Sequence, residues 1–392
     1  MVRFIHTADW QVGKPYSRVA DPACWALLRQ ERIAVIGRIG EVARDRKAQF
    51  VLVAGDLFDT SSPDRRTVSA ACRAIGSIGV PVLAIPGNHD HGGVGGIWEQ
   101  EFFLAEQKSL APNLRLLSVP SPLELESAVI LPCPLSRRHE SNDVTGWLYG
   151  AAVLGGLPPA KPRIVLAHGS VQGFSSASDE ESEIQSNRID LGRLSTLHCD
   201  YIALGDWHGT KQVADRAWYS GTPELDRFMK GSGHDPGNVL CVEIAEPGQM
   251  PRVTSVRTSR LAWHDEQFHL VDDGSLDHLD QRLMEVLGDR VQADLLQLTL
   301  DGKLGFAGDR RLKGILERLE ARLLRLSLEN RVQVVPGDAE IAELTHRAGD
   351  PLVAEVAERL VREHRAGGEK AETALRALRE LYVGVMQGGL VA

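Results

Sequence analysis

Residues 50–59 read Phe50-Val51-Leu52-Val53-Ala54-Gly55-Asp56-Leu57-Phe58-Asp59, an apolar run that ends on a glycine and two carboxylates three residues apart. Phe50 to Ala54 has the length and content of a short buried strand, and Gly55 stops it. The same rhythm extends outward on both sides. Val2 to Ala8 reads as a strand, and Trp25 to Lys47 has helical spacing in Leu27, Leu28, Ile33, Ile36, Ile39 and Val42. Thr67 to Ile78 is helical and Val80 to Ile85 is a third strand. This alternation predicts a layered α/β core.

Further along, Ala128 to Leu131, Arg163 to Ala167 and Tyr201 to Leu204 read as strands. Trp218-Tyr219, Val239 to Ile244 and Arg252 to Val256 read as the later strands of a second sheet. The expectation for residues 1–260 is a four-layer α/β/β/α sandwich. Residues 261–335 read as a small α+β cap of βαβαβ type: strand Phe268 to Val271, helix Leu276 to Leu287, strand Asp294 to Leu300, helix Leu312 to Leu326 and strand Val332 to Val335. Residues 336–392 form a charged helical C-terminal tail, with Ala366 to Gly368 breaking it into two helices.

A chain of 392 residues is expected to hold more than one domain. Its 43% hydrophobic and 25% charged residues are those of a soluble globular protein. No apolar stretch approaches the roughly 20 residues that cross a bilayer. The N-terminus enters a strand without the regions of a secretory signal, so a cytoplasmic protein with no membrane partner is expected. Five scattered cysteines without a CxxC pair argue against a disulfide framework or a zinc knuckle and are expected to be small buried hydrophobes. The formal net charge of −9 weighs against stand-alone DNA binding, where phosphate neutralisation dominates affinity. It does not exclude a nuclease whose partner supplies the basic surface.

Four motifs follow predicted strands, where α/β proteins place ligands. They are Asp9-Trp10-Gln11; Gly55-Asp56-Leu57-Phe58-Asp59; Gly87-Asn88-His89-Asp90; and the pair Ala167-His168-Gly169 with Leu204-Gly205-Asp206-Trp207-His208-Gly209. Each alone could be a turn or a cap. Together they offer what two divalent ions about 3.5–4 Å apart require, a shared carboxylate and a mixed oxygen and nitrogen shell. Such ions lower the pKa of a bound water and orient a phosphate. His6, inside the first strand, and His91, just past the third motif, read as supporting or loop residues.

The order and wording of these motifs resemble the calcineurin-like metallophosphoesterases over roughly residues 1–260. Within that superfamily the chain is similar to the SbcD-type DNA repair exonucleases. The resemblance rests on Phe4-Ile5-His6-Thr7-Ala8-Asp9-Trp10, the Gly55 to Asp59 motif, Pro86-Gly87-Asn88-His89-Asp90, Tyr201-Ile202-Ala203-Leu204-Gly205, and Tyr219-Ser220-Gly221-Thr222-Pro223-Glu224. It implies that Asp9 and His208 hold a first metal, Asn88 and His168 a second, and that Asp56 bridges them. It also implies that His89, oriented by Asp59 or Asp90, protonates the leaving oxygen. Two positions depart from the family. Gln11 and Asp206 stand where it usually has histidines, so each metal loses an imidazole. Asp206 can still ligate; Gln11 can bind through its carbonyl oxygen, through a water, or not at all. An oxygen-rich shell favours Mn²⁺, with Mg²⁺ the alternative.

The resemblance further implies DNA as substrate, an SbcC-like coiled-coil ATPase as partner and a homodimer. The apolar positions Leu352, Val353, Val356, Leu360 and Val361, then Leu375, Leu378, Leu381 and Tyr382, fit either a hairpin packed on its own domain or a helix pair docked on such a coiled coil. The basic segment Asp309-Arg310-Arg311-Leu312-Lys313 reads as a solvated helix start or a DNA contact. Two other functions stay open: a small-molecule or nucleotide phosphodiesterase or phosphatase, and a subunit whose altered ligands have weakened catalysis.

Overall fold

The computed structural model describes residues 1–171, 186–228, 235–347 and 349–388. The chain divides into two compact units, Met1–Leu261 and Ala262–Ala392. The first unit begins β1 (Val2–Thr7), α1 (Pro22–Asp45), β2 (Phe50–Val53), α2 (Arg65–Gly76), β3 (Val82–Ala84), α3 (Glu101–Leu110) and β4 (Leu114–Leu116). It continues β5 (Leu123–Glu124), β6 (Val129–Cys133), α4 (Ala151–Gly155), β7 (Arg163–His168), β8 (Ser170–Val171), β9 (Arg188–Ile189) and α5 (Leu191–Ser195). The last strands are β10 (Tyr201–Gly205), β11 (Lys211–Ala214), β12 (Ala217–Tyr219), β13 (Asn238–Ile244) and β14 (Arg252–Arg257).

These strands make two six-stranded sheets, ordered β14-β13-β1-β2-β3-β4 and β11-β12-β10-β7-β6-β5. Strands β1 to β4 pair in parallel, as do β6, β7, β10 and β12. Alternation along each strand builds the layers, because successive side chains point to opposite faces. Phe4 and Leu52 of the first sheet pack with Ile164, Leu166 and Tyr201 of the second. Ile5, Val51 and Val53 face the other way, against Val35, Ile36 and Ile39 of α1 and Val68 and Ile75 of α2. Val165 and Ile202 of the second sheet turn outward to Leu194 of α5. The result is the expected α/β/β/α sandwich. Side chains of Asp21 and Asp64 cap α1 and α2, accepting from Cys24 N and Thr67 N.

One expectation is corrected. β13 and β14 do not extend the second sheet; β13 runs antiparallel to β1 in the first, pairing Ile5 with Cys241, and β14 follows it. A strand buried on both faces fits the interior of either sheet, so its sequence does not specify its neighbour. All five cysteines are free and buried.

The second unit is built on β15 (Ala262–Leu270), α6 (Ser275–Leu287), β16 (Asp294–Leu304), α7 (Phe306–Arg322), β17 (Arg325–Asn330) and β18 (Gln333–Val334). β15, β16 and β17 pair in parallel, a βαβαβ unit. The helix expected to reach Leu326 stops at Arg322, and Arg325–Asn330 is the third strand. The helices α8 (Asp338–Thr345), α9 (Pro351–Ala366) and α10 (Ala371–Gly388) belong to the same unit. A further break before α9 is capped by Asp350, with Pro351 opening the helix. Leu344, Ala357, Val361, Leu378 and Tyr382 bury a common face with Phe306 of α7, and Arg379 pairs with Asp309 at 2.8 Å. Among the described residues no helix is long and apolar enough to cross a membrane.

Candidate metal centre

The motifs converge because the parallel strands of both sheets deliver their carboxyl ends to one edge. Asp9 follows β1, Asp56 follows β2, Asn88 and His89 follow β3, His168 ends β7, and Asp206 follows β10. The first two loops go on pairing beyond their strands: Asp9 N donates to Gly55 O, Gln11 N to Asp56 O and Val12 N to Leu57 O. This ladder makes the ligand loops rigid extensions of the sheet. Asp9, Gln11, Asp56 and Asp206 all take positive φ, between 42° and 104°. Such backbone costs about 1–3 kcal/mol per residue and persists where the surrounding structure over-determines it.

One donor of each of Asp9, Asp56 and His168 lies within 4.8 Å of the others, and all three side chains are buried. His168 Nε2 is 3.7 Å from Asp56 Oδ1, 3.9 Å from Asp206 Oδ1 and 3.0 Å from Asn88 Oδ1. Its Nδ1 donates to the Ala54 carbonyl at 2.8 Å. That bond leaves Nε2 as the ligating nitrogen, the usual way a metal-binding imidazole is oriented. Gly87 permits the approach, since a Cβ there would overlap Asp56 Oδ1. Asp206 N–H donates to Asp9, and the Asp206 carboxylate accepts from Ser170 Oγ at 2.9 Å.

The electrostatics fit a cation. Burial would lower His168, but the carboxylates of Asp56, Asp9 and Asp206 lift it to about 9. Burial pushes Asp9 well above the usual carboxylate range, and Asp56 and Asp206 add to it. A divalent ion bound among these groups would displace the proton that His168 holds and favour the ionised carboxylates. The donor set of two carboxylates, an amide oxygen and an imidazole suits a hard or borderline ion.

His89 sits at the rim with its side chain 30% exposed. Its N–H donates to Asp56 Oδ1, and its ring Nδ1 donates to the main-chain carbonyl of Asp59 at 2.8 Å. Asp59 therefore holds the ring through its backbone, while its carboxylate lies 3.8 Å from Lys14 Nζ. Asp90 accepts from Phe58 N and Gly87 N, so its carboxylate fixes the two ligand loops together. Burial, with the Asp56 charge beside it, raises that carboxyl to about 7. His6 ties the sheets together through Tyr201 OH at 3.0 Å and Leu204 O at 3.1 Å, and His91 accepts from Gly93 N.

Gln11 and His208 have a different set of neighbours. Gln11 Oε1 accepts from Lys14 Nζ at 2.7 Å, and its amide nitrogen is 3.3 Å from His208 Nε2. His208 Nδ1 is 2.8 Å from Arg227 Nη2 and 3.4 Å from Asp226 Oδ2. Burial lowers His208 to about 4, against the Asp226 charge and with help from Arg227 and Lys14. Burial would raise Asp226, but His208, Lys14 and Arg227 hold it well below the usual range. Sequence reasoning missed Lys14, Asp226, Arg227 and the buried Arg32. Lys14, Arg32 on α1 and the Asp226–Arg227 pair come from segments far apart in the chain, and no spacing pattern links them.

A family model described as calcineurin-like phosphoesterase matches residues 2–236, which include every ligand loop. The chain belongs to that family. The chain is therefore a metal-dependent phosphoesterase, and Asp9, Asp56 and His168 form a buried cluster that could hold a divalent ion. One solved structure is 13% identical over 66% of this chain and 99% of its own, with a TM-score of 0.41, too distant to carry an argument.

Proposed function

We propose that this calcineurin-like phosphoesterase hydrolyses phosphodiester bonds of DNA in the cytoplasm, as the nuclease subunit of a complex with an SbcC-like coiled-coil ATPase. The observation that carries the chemistry is the buried Asp9–Asp56–His168 cluster with His89 at its rim. A bound Mn²⁺ or Mg²⁺ would supply an activated water and polarise the phosphate. Asp9, Asp56, Asn88, His168 and Asp206 would hold metal. His89, its Nδ1 committed to the Asp59 carbonyl, directs Nε2 toward the cluster, 4.0 Å from Asp56 Oδ2, where a protonated ring can give its proton to a leaving oxygen.

The motif wording shared with SbcD-type nucleases supports DNA over other diesters. Exposed Leu352 and Val356 on α9 support a docked partner helix, even though the opposite face of that helix is covered. The net charge of −9 favours a second reading, a small-molecule phosphodiesterase. An assay of linear double-stranded DNA beside bis-p-nitrophenyl phosphate, with Mn²⁺, separates them. DNA degradation lost in His89→Ala supports the nuclease. Rapid turnover of nucleotide diesters, with DNA untouched even after the ATPase is added, refutes it.

A further inference from the structure

The family pattern places an imidazole on each of two ions, yet the two histidines that match it have different neighbours: the one carboxylate beside His208, Asp226, is itself held by Lys14 and Arg227. His168 looks onto carboxylates. His208 is met by protein donors at both ring nitrogens, Arg227 Nη2 at Nδ1 and the Gln11 amide nitrogen at Nε2. Whichever nitrogen carries the lone pair, a donor of the chain already faces it.

Gln11 could ligate only through Oε1, and that oxygen is 2.7 Å from Lys14 Nζ. An ammonium can only donate, so the amide orientation follows: oxygen toward Lys14, nitrogen toward His208. Lys14 is also 2.8 Å from Asp226 Oδ2 and 3.8 Å from Asp59 Oδ1. Three oxygens from three loops thus surround one fixed charge, as they would a small cation. Arg32 at 3.7 Å and Arg227 at 3.3 Å add two guanidinium groups around the same buried Asp226. A divalent ion on this side would have to displace Lys14 and sit beside both guanidiniums, the buried one of Arg32 being poorly screened, so that like charges repel.

We propose that the centre holds a single divalent ion, among Asp9, Asp56, Asn88, His168 and Asp206, and that the Lys14 ammonium takes the place of the second ion on the Gln11–His208 side. The inference rests on the metallophosphoesterase reading and deepens it. The histidine lost at position 11 and the lysine three residues later then form one change: the amide that replaces a metal ligand accepts from the cation that replaces the metal.

The test counts ions and needs no turnover. The full chain is stripped with chelator and dialysed against MnCl₂. Bound manganese per chain is measured by elemental analysis, and its spin coupling by electron paramagnetic resonance. The wild type should bind one ion with the spectrum of an isolated Mn²⁺. Lys14→Arg, which keeps the charge, should also bind one. Gln11→His combined with Lys14→Met should admit a second ion and give an exchange-coupled spectrum. Two coupled ions in the wild type would overturn the substitution by Lys14, and so would a double variant that keeps the first ion without gaining a second. A wild type that binds none would instead overturn the metal-centre reading on which the inference rests.

Discussion

Arg32 lies on α1, far in sequence from most of what it touches, and its replacement by methionine should destabilise the first unit by about 3–5 kcal/mol. Its guanidinium is fully buried and donates to the Trp10 carbonyl at 2.8 Å, to Tyr16 OH and Thr222 Oγ1 at 3.0 Å, and to the Glu224 carbonyl at 3.0 Å. Thr222 Oγ1 also donates to Glu224 O, so those two groups keep a partner when Arg32 is gone. The Trp10 carbonyl is left buried and unsatisfied, at about 1–3 kcal/mol, and the lost charge-assisted bonds to Tyr16 and Glu224 contribute about 1 kcal/mol net each. Asp226 retains Lys14 and Arg227, so no unpaired charge is created. Against a typical stability of about 5–15 kcal/mol the loss is large. Native-state hydrogen exchange under urea, read on peptides from β1 and β13, measures it for this unit alone. Arg32→Lys should recover less than half, because one ammonium cannot span the Trp10 and Glu224 carbonyls. A loss below about 1 kcal/mol in Arg32→Met would refute the claim that this guanidinium holds the ligand loop to residues 222–226.

Further outcomes follow from other buried groups. Burial lowers His6 from an ordinary value near 6.5 to about 3, against the Leu204 hydrogen bond. Its stability contribution is therefore complete above pH 6.5 and falls by about 1.4 kcal/mol per unit as pH drops toward 3, since only the unfolded chain takes up the proton. His6→Gln should flatten that acid limb in pH-dependent unfolding; an unchanged slope would assign it to other groups. His89→Ala should leave Mn²⁺ affinity within a few-fold, because Asp56 still accepts the residue 89 N–H, and should lower turnover by about 10²–10⁴-fold. Equal activity in the variant would remove His89 from the chemistry. Leu378 is fully buried in the cluster that packs α10 on α7, so Leu378→Ala should cost the second unit about 2–5 kcal/mol in urea unfolding. A cost below about 0.5 kcal/mol would mean that the helices pack elsewhere.

The layers of the first unit were legible because its strands are short, apolar and separated by well-patterned helices. Pairing was not: nothing in Asn238–Ile244 says that it returns to β1, because both of its faces are buried wherever it lies. The carboxylate cluster was legible for a similar reason, since Asp9, Asp56, Asn88 and His168 each stand at the end of a strand in a short motif, three of them beside a glycine. The neighbours of Gln11 and His208 were hidden. Lys14 and Asp226 are over two hundred residues apart and meet only through the fold. Asp59 and Asp90 stood as alternatives for orienting His89. The structure gives the ring the Asp59 main-chain carbonyl, a contact that side-chain identity cannot signal. Arg325 and Leu326, the start of β17, were absorbed into the preceding helix because Leu323, Leu324 and Leu326 continue an apolar pattern that periodicity alone assigns to either state.

On the proposed function, phosphoester hydrolysis depends on metal held by the Asp9–Asp56–His168 cluster. The most direct test of that dependence is calorimetric titration of Mn²⁺ into stripped wild type and Asp56→Asn, paired with hydrolysis of bis-p-nitrophenyl phosphate. Asparagine is chosen because position 56 has φ 53°, which it tolerates better than alanine. The wild type should bind metal and hydrolyse the ester only with metal present, and a variant that melts as a folded protein should lose both. Full hydrolysis by chelator-treated wild type, or wild-type Mn²⁺ affinity in Asp56→Asn, would contradict that dependence.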